Sequence, residues 1–358
     1  MKINFIIPFT SLTGGIKIVF EYCNRLKERG HDVVIYVPMK AYRFNNKGVL
    51  GNLKIIKSSI GNTFKRGTNV EWFDLNVDIK LVPLIKNCFI RDADVVVATA
   101  WPTAYDVNCL QDSKGRKIYL IQHYEKWSGD EIDVDNSYKL PLNQIVIAKW
   151  LKDLMKDKFN RESNLIYNGI DSNDFNNKKS NKNKNIVVSM LYHRLEWKGY
   201  EDGLKAFEIA KQTHPNIKLK LFGIEKGENI PEYAEFYLNP SREEIKKIYS
   251  DSDIFIFPSR SEGWGLTVIE AMACKCAVVG TNTGAISEIG IDRENCLVSE
   301  PGNVEELAMN LVRIINDTEL RTYISNNGYN TATKFDWKIS VDKMEKYFKN
   351  LIKGENNE

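Results

Sequence analysis

Short runs apolar on both faces recur along this chain, and helical patterns and turns separate them. Ile3–Ile7 is such a run, followed by a Thr10-Ser-Leu-Thr-Gly-Gly15 loop. Val19, Tyr22, Cys23 and Leu26 then fall at helical spacing, with Gly30 closing the helix. Val33–Val37 is the next run, so the opening segment already reads βαβ. A strand that is apolar on both sides needs cover on both faces, which points to a parallel sheet flanked by helices. Val95–Ala98, Ile118–Ile121 and Ile145–Ile147 continue the array.

Residues 176–185 interrupt it with an Asn/Lys tract that holds no apolar residue, read as a solvated linker or loop. The alternation then begins again. Strands are predicted at Ile186–Met190, Ile217–Phe222, Ile254–Phe257 and Ala277–Val279, and helices at Glu201–Gln212, Arg242–Tyr249, from about Leu266, and at Val304–Ile315. Two further helical stretches finish the chain. At 358 residues there is length for two domains, each with its own core. Two consecutive βαβ arrays imply an α/β protein of two doubly wound, Rossmann-like domains facing each other across a cleft.

Composition removes several function classes. A formal net charge of +3 is too balanced for a dedicated nucleic-acid binder, and 27% charged with 43% hydrophobic residues is ordinary for a globular protein. No apolar run approaches a membrane span, and the N-terminal apolar run is too short for a signal peptide, so a cytoplasmic protein is expected. The six cysteines form no Cys-x2-Cys pair and read as reduced thiols. Three Asp-x-Asp strings, at Asp92/Asp94, Asp133/Asp135 and Asp251/Asp253, invite a divalent-metal reading. Two immediately precede apolar strands, where short polar residues commonly bound an element, and no metal is expected.

The most informative stretch is Ser259-Arg-Ser-Glu-Gly-Trp-Gly-Leu-Thr-Val-Ile-Glu-Ala-Met-Ala273. It follows a strand ending at Pro258 and leads into a helix. Peptide N–H groups from Gly265 to Val268 are expected to lack partners at that helix N-terminus, which suits a diphosphate. Glu262 precedes the turn and Glu270 lies about one turn into the helix, where carboxylates can accept hydrogen bonds from sugar hydroxyls.

These residues carry a resemblance. Glu262 and Glu270 around Gly263-x-Gly265-Leu266, then Val278-Val279, Gly284 and Glu288, resemble the donor-site signature of the family-four retaining glycosyltransferases (glycosyl transferases group 1) of the GT-B fold. Gly14-Gly15, Asn168-Gly169-Ile170-Asp171 with Phe175, Lys198-Gly199, Phe222-Gly223 and Asp253-x4-Pro258-Ser259 follow in family order. The fragments Tyr119–Glu125 and Ser189–Arg194 are similar to a bacterial and archaeal subgroup that builds surface polysaccharides.

The resemblance implies a nucleotide-sugar donor, for which UDP-sugar is the working example, and a carbohydrate or lipid-linked hydroxyl acceptor. A hexosyl-type sugar would move with retention of configuration, without metal or other cofactor. It assigns Lys198 to the donor diphosphate together with a nearby cation. Arg194 is preferred for that role over His193, because an always-charged fork suits phosphate. Glu270 is assigned to the ribose, Glu262 and His123 to the transferred sugar, Gly14 and Gly15 to the phosphates, and Gly263, Gly265, Leu266, Thr267 and Val268 to the donor-binding turn. Lys275 and Ala277 stand where the family commonly has Gly and Pro. The implied domains are residues 1–168 on the acceptor side and 169–335 on the donor side, with a final helix at about 336–352 returning to the first.

Within the same fold, a nucleotide-sugar 2-epimerase or hydrolase is the alternative, as is a catalytically silent carbohydrate-binding protein. An NAD-dependent oxidoreductase is disfavoured, since no Gly-x-Gly-x-x-Gly follows the first strand. Residues 40–66 add a local expectation: seven Lys or Arg and no Asp or Glu, with Tyr42, Phe44 and Phe64 among them. Such a stretch suits an anionic membrane surface at the inner face, as well as a plain solvated loop.

Overall fold

A computed structural model describes residues 1–42, 44, 70–171, 175 and 185–354. The chain divides into two compact units, Met1–Tyr167 with Lys338–Glu358, and Asn168–Trp337.

The first unit comprises β1 (Lys2–Ile6), α1 (Gly14–Glu28), β2 (Asp32–Pro38), β3 (Asp78–Val82), β4 (Val95–Ala98), α2 (Trp101–Asn108), β5 (Arg116–Ile121), α3 (Glu131–Lys139), β6 (Asn143–Val146), α4 (Lys149–Phe159) and β7 (Ser163–Leu165). Its described strands form one parallel sheet in the order β3-β2-β1-β4-β5-β6-β7. Every residue of β4 and four of the six in β5 are buried, as strands covered on both faces require. Thr13 caps α1 by accepting from the Ile16 N–H, and Gly30, at φ +83°, ends it as anticipated.

The second unit comprises β8 (Val187–Leu191), a 3-10 turn at Glu196–Lys198, α5 (Tyr200–Thr213), β9 (Lys218–Gly223), β10 (Glu235–Leu238), α6 (Arg242–Ser250), β11 (Ile254–Phe257), α7 (Leu266–Ala273), β12 (Ala277–Thr281), α8 (Ala285–Ile289), β13 (Leu297–Ser299), α9 (Val304–Asn316) and α10 (Thr318–Ala332). Its sheet is also parallel, in the order β10-β9-β8-β11-β12-β13. Val188, Met190, Leu219, Leu221, Ile254 and Ile256 meet Phe207 and Leu311 in its core.

The last helix, α11 (Trp337–Lys353), passes from the second unit into the first. Trp337, Val341, Met344 and Phe348 are buried at the spacing of a single helical face. Arg29 bridges to Asp342 at 2.6 Å and Glu345 at 3.0 Å, and the Ser340 hydroxyl donates to the Tyr167 carbonyl at 2.7 Å.

Candidate active site

In a doubly wound sheet, ligands bind beyond the carboxyl ends of the strands, where the winding reverses. In the second unit that point lies between β8 and β11, adjacent strands from which the chain runs outward to β9 and to β12 respectively. The loop after β8 carries His193, Arg194 and Lys198; the loop after β11 carries Ser259, Arg260 and Glu262.

The two loops are fastened together. The peptide N–H groups of Arg260 and Ser261 both donate to the Trp197 carbonyl, at 2.7 and 3.3 Å. Gly199 holds φ +66°, and a Cβ there would lie 1.9 Å from the Pro258 carbonyl oxygen, so only glycine fits. As a result the Lys198 Nζ donates to Glu262 Oε1 at 2.7 Å, and the Ser259 hydroxyl donates to the same oxygen at 3.2 Å. This Lys–Glu pair is largely shielded, with side-chain exposures of 23% and 11%.

Gly265, at φ +83°, turns the chain into α7 beside Glu262, whose Cγ would be 3.9 Å from a Cβ at 265. Among the described residues, the N–H groups of Leu266 and Thr267 meet no acceptor. They form a donor pair at the positive end of the helix dipole. Glu270, buried on the first turns of α7, accepts from the Tyr249 hydroxyl at 3.3 Å. Burial, and then the nearby Glu270 carboxylate, push the Tyr249 phenol well above its usual range.

In the first unit the winding reverses between β1 and β4. Gly14 and Gly15 form the first turn of α1, and the Gln122 side-chain amide donates to the Gly15 carbonyl at 3.2 Å. His123 lies two residues past β5, edge-on to Trp127 with ring centres 4.3 Å apart and 5.6 Å from Trp150. The Tyr138 hydroxyl secures this turn by accepting the Glu125 N–H at 3.1 Å and donating to the His123 carbonyl at 3.2 Å. Glu125 accepts the Trp101 N–H, at the start of α2, at 2.8 Å. Burial raises its carboxyl to about 7, against the lowering effect of the Trp101 bond.

A family model, glycosyl transferases group 1, matches residues 171–331. This match falls within the second compact unit, which resembles the group 1 glycosyltransferases. A capsular polysaccharide biosynthesis glycosyltransferase of Staphylococcus aureus, CapM, is 29% identical over 270 residues, covering 68% of each chain. An uncharacterized glycosyltransferase of Methanocaldococcus jannaschii is 28% identical over 212 residues, and the match spans 58% of this chain and 59% of that relative. Among solved structures, Anabaena HepE in complex with UDP and glucose superposes with TM-score 0.74 at 16% identity, over 98% of this chain and 100% of that one. Sucrose-phosphate synthase from Thermosynechococcus elongatus gives 0.73 at 16%, over 99% and 100%. The fold is GT-B.

Against the group 1 signature, the structure brings Lys198, Glu262, Gly263, Gly265, Leu266 and Thr267 together around one turn. One donor-site expectation needs correction. The Val268 N–H is not an open donor, because it bonds to the Gly265 carbonyl at 3.1 Å. Arg194 points its guanidinium at Glu225, 2.8 Å away, with 73% of its side chain exposed. His193 is the half-buried member of the pair. Its Nδ1 accepts the Leu195 N–H at 3.1 Å, and its pKa is lowered first by burial and then by the Lys198 charge.

The acidic strings have local partners: Asp92 pairs with Lys114 at 2.7 Å, Asp251 with Lys220 at 3.1 Å, and Asp253 accepts the Val187 N–H at 3.0 Å. Among the described residues no three His, Cys, Asp or Glu side chains cluster as metal ligands. Most of the 40–66 stretch lies outside the described residues. Of its aromatic residues, Tyr42 donates to Asp106 and Phe44 packs edge-on to Trp101 and Phe9, so both have internal partners. Among the described residues no helix is long and apolar enough to cross a membrane.

Several residues escaped the sequence reading: Ser259 as a partner of Glu262, Tyr249 beneath Glu270, Gln122 on the glycine turn, and Glu125 with Tyr138 behind His123. Apart from Ser259, three positions before Glu262, their partners are distant in sequence, and no spacing rule links a phenol to a carboxylate 21 positions away.

Proposed function

We propose that this chain transfers a sugar from a nucleoside-diphosphate donor to a hydroxyl acceptor with retention of configuration. The observation that carries the reading is the shielded Lys198–Glu262–Ser259 cluster at the winding reversal, beside the open N–H pair of α7. A fixed ammonium and two peptide donors suit a diphosphate, whose charge grows as its bond to the sugar breaks. Glu262 keeps acceptor capacity for sugar hydroxyls after binding Lys198, and Glu270 is assigned to the ribose. His123 is assigned to the transferred sugar.

In the proposed step the bond from the anomeric carbon to the diphosphate oxygen breaks. The acceptor oxygen bonds to the same face of that carbon, and the acceptor proton passes to the departing phosphate oxygen. No protein nucleophile is consumed, and the protein's contribution is placement and charge. The likeness to CapM supports a role in surface polysaccharide or glycolipid assembly, with the acceptor carbohydrate or lipid-linked.

A screen of nucleotide sugars by thermal shift, followed by measurement of nucleoside diphosphate release with and without candidate acceptors, tests this. A ligand at 100 times its Kd stabilises by about 2.7 kcal/mol, which is readily seen. Binding with acceptor-stimulated release is expected. Release that is indifferent to acceptor favours a hydrolase, conversion of the sugar without transfer favours an epimerase, and no shift with any donor rejects the reading.

A further inference from the structure

Arg260 lies two positions before Glu262 and is absent from the group 1 signature discussed above. Its Nε and one terminal nitrogen clasp the two oxygens of Asp202, at 2.8 and 2.9 Å. Its other terminal nitrogen donates to Glu196 Oε1 at 3.1 Å. Asp202 is buried, with 8% side-chain exposure, in the first turn of α5, the helix that begins two residues after Lys198. Glu196 opens the 3-10 turn that ends at Lys198. One guanidinium therefore joins the loop bearing Glu262 to both sides of the turn bearing Lys198.

We propose that Arg260 is a positioning residue that, through Asp202 and Glu196, holds Lys198 and Glu262 at the separation the donor requires. The inference rests on the reading of Lys198 and Glu262 as donor-binding groups. A planar fork with two bonds to one carboxylate fixes orientation as well as distance, which a single flexible ammonium does not. Asp202 also lies in the positive end of the α5 dipole, so its carboxylate stays at the helix start. A shift of about 1 Å in a catalytic group can cost on the order of 10²-fold in rate, so loss of the fork should register in turnover even where the fold survives.

The experiment has two arms on the full chain. In the first, melting temperatures of Lys198→Met, Glu262→Gln and the double variant are measured with Arg260 present and in an Arg260→Ala background. Non-additive shifts are expected with Arg260 present, and additive ones without it. In the second, release of UDP from UDP-glucose and of GDP from GDP-mannose is followed in wild type, Arg260→Ala and Arg260→Lys. The expected result is a kcat loss on the order of 10²-fold for Arg260→Ala with a far smaller change in KM, and partial recovery in Arg260→Lys. Coupling between Lys198 and Glu262 that persists without Arg260, or that is absent with it, overturns the proposal, as does wild-type kcat in Arg260→Ala. If no nucleotide sugar raises the melting temperature of wild type while the coupling still depends on Arg260, the donor reading fails and the positioning role stands.

Discussion

Lys198 and Glu262 satisfy one another, so removal of either leaves a shielded charge as well as a gap in the site. Lys198→Ala is expected to lower kcat/KM by a factor on the order of 10²–10³, the loss associated with a preorganised donor to developing charge. Glu270→Ala should chiefly weaken nucleotide binding, seen as a raised KM with kcat nearly kept. Because a lysine and peptide donors are assigned to the diphosphate, transfer should persist in excess EDTA; activity that vanishes there and returns with Mn²⁺ would contradict that assignment. Glu125 gives a pH prediction of a different kind. Its carboxyl is raised to about 7 in the fold, chiefly by burial, so the folded chain binds a proton that the unfolded chain releases at lower pH. Stability should therefore fall as pH rises from the ordinary glutamate range to about 7. Equilibrium unfolding of Glu125→Gln across that window should lack this part of the decline; identical pH profiles would rule it out.

At the scale of elements, the turn Glu196–Lys198 and the start of α5 depend on Gly199. An alanine there must adopt a left-handed backbone, at a cost of about 1–2 kcal/mol, and also push the Pro258 carbonyl aside. Gly199→Ala should lower the melting temperature and loosen nucleotide binding together, whereas Gly14→Ala, where a Cβ meets nothing within 4 Å, should leave stability nearly unchanged. The strands that line both winding reversals were legible because they are apolar on both faces: β1, β2, β4, β8 and β11 lie within a residue or so of where the pattern put them. Elements with one wet face left little trace. In β10 no residue is buried, and α3 buries only Val134, Ser137 and Tyr138 of its nine residues, so neither carries a period strong enough to read. The turn from Gly263 to Thr267 was legible from its glycines and its resemblance, but the 64-residue separation of Lys198 from Glu262 closes only once β8 and β11 lie side by side.

At the scale of the whole molecule, the basic stretch 40–66 makes a claim that stands on charge alone. Attraction of roughly 1 kcal/mol per basic residue near an anionic surface should appear as co-sedimentation with anionic but not neutral liposomes, and should weaken in high salt. A Lys54/Lys57/Lys65/Arg66→Ser variant should lose that binding; equal binding to both lipids, or no loss in the variant, would leave only a solvated loop. The return of α11 to the first unit has a consequence for synthesis. Residues 168–337 form a continuous compact unit, whereas the first unit needs Val341, Met344 and Phe348 to finish its core. At about 5–20 residues per second, the ribosome delivers those side chains roughly 10–30 s after the strands of the first unit have emerged. Throughout that interval the unit made first carries an uncovered apolar strip, while the unit made second can already be complete. The nascent chain is thus most open to holdase chaperones and to misassembly at its older end, and α11 is the helix that closes that exposure.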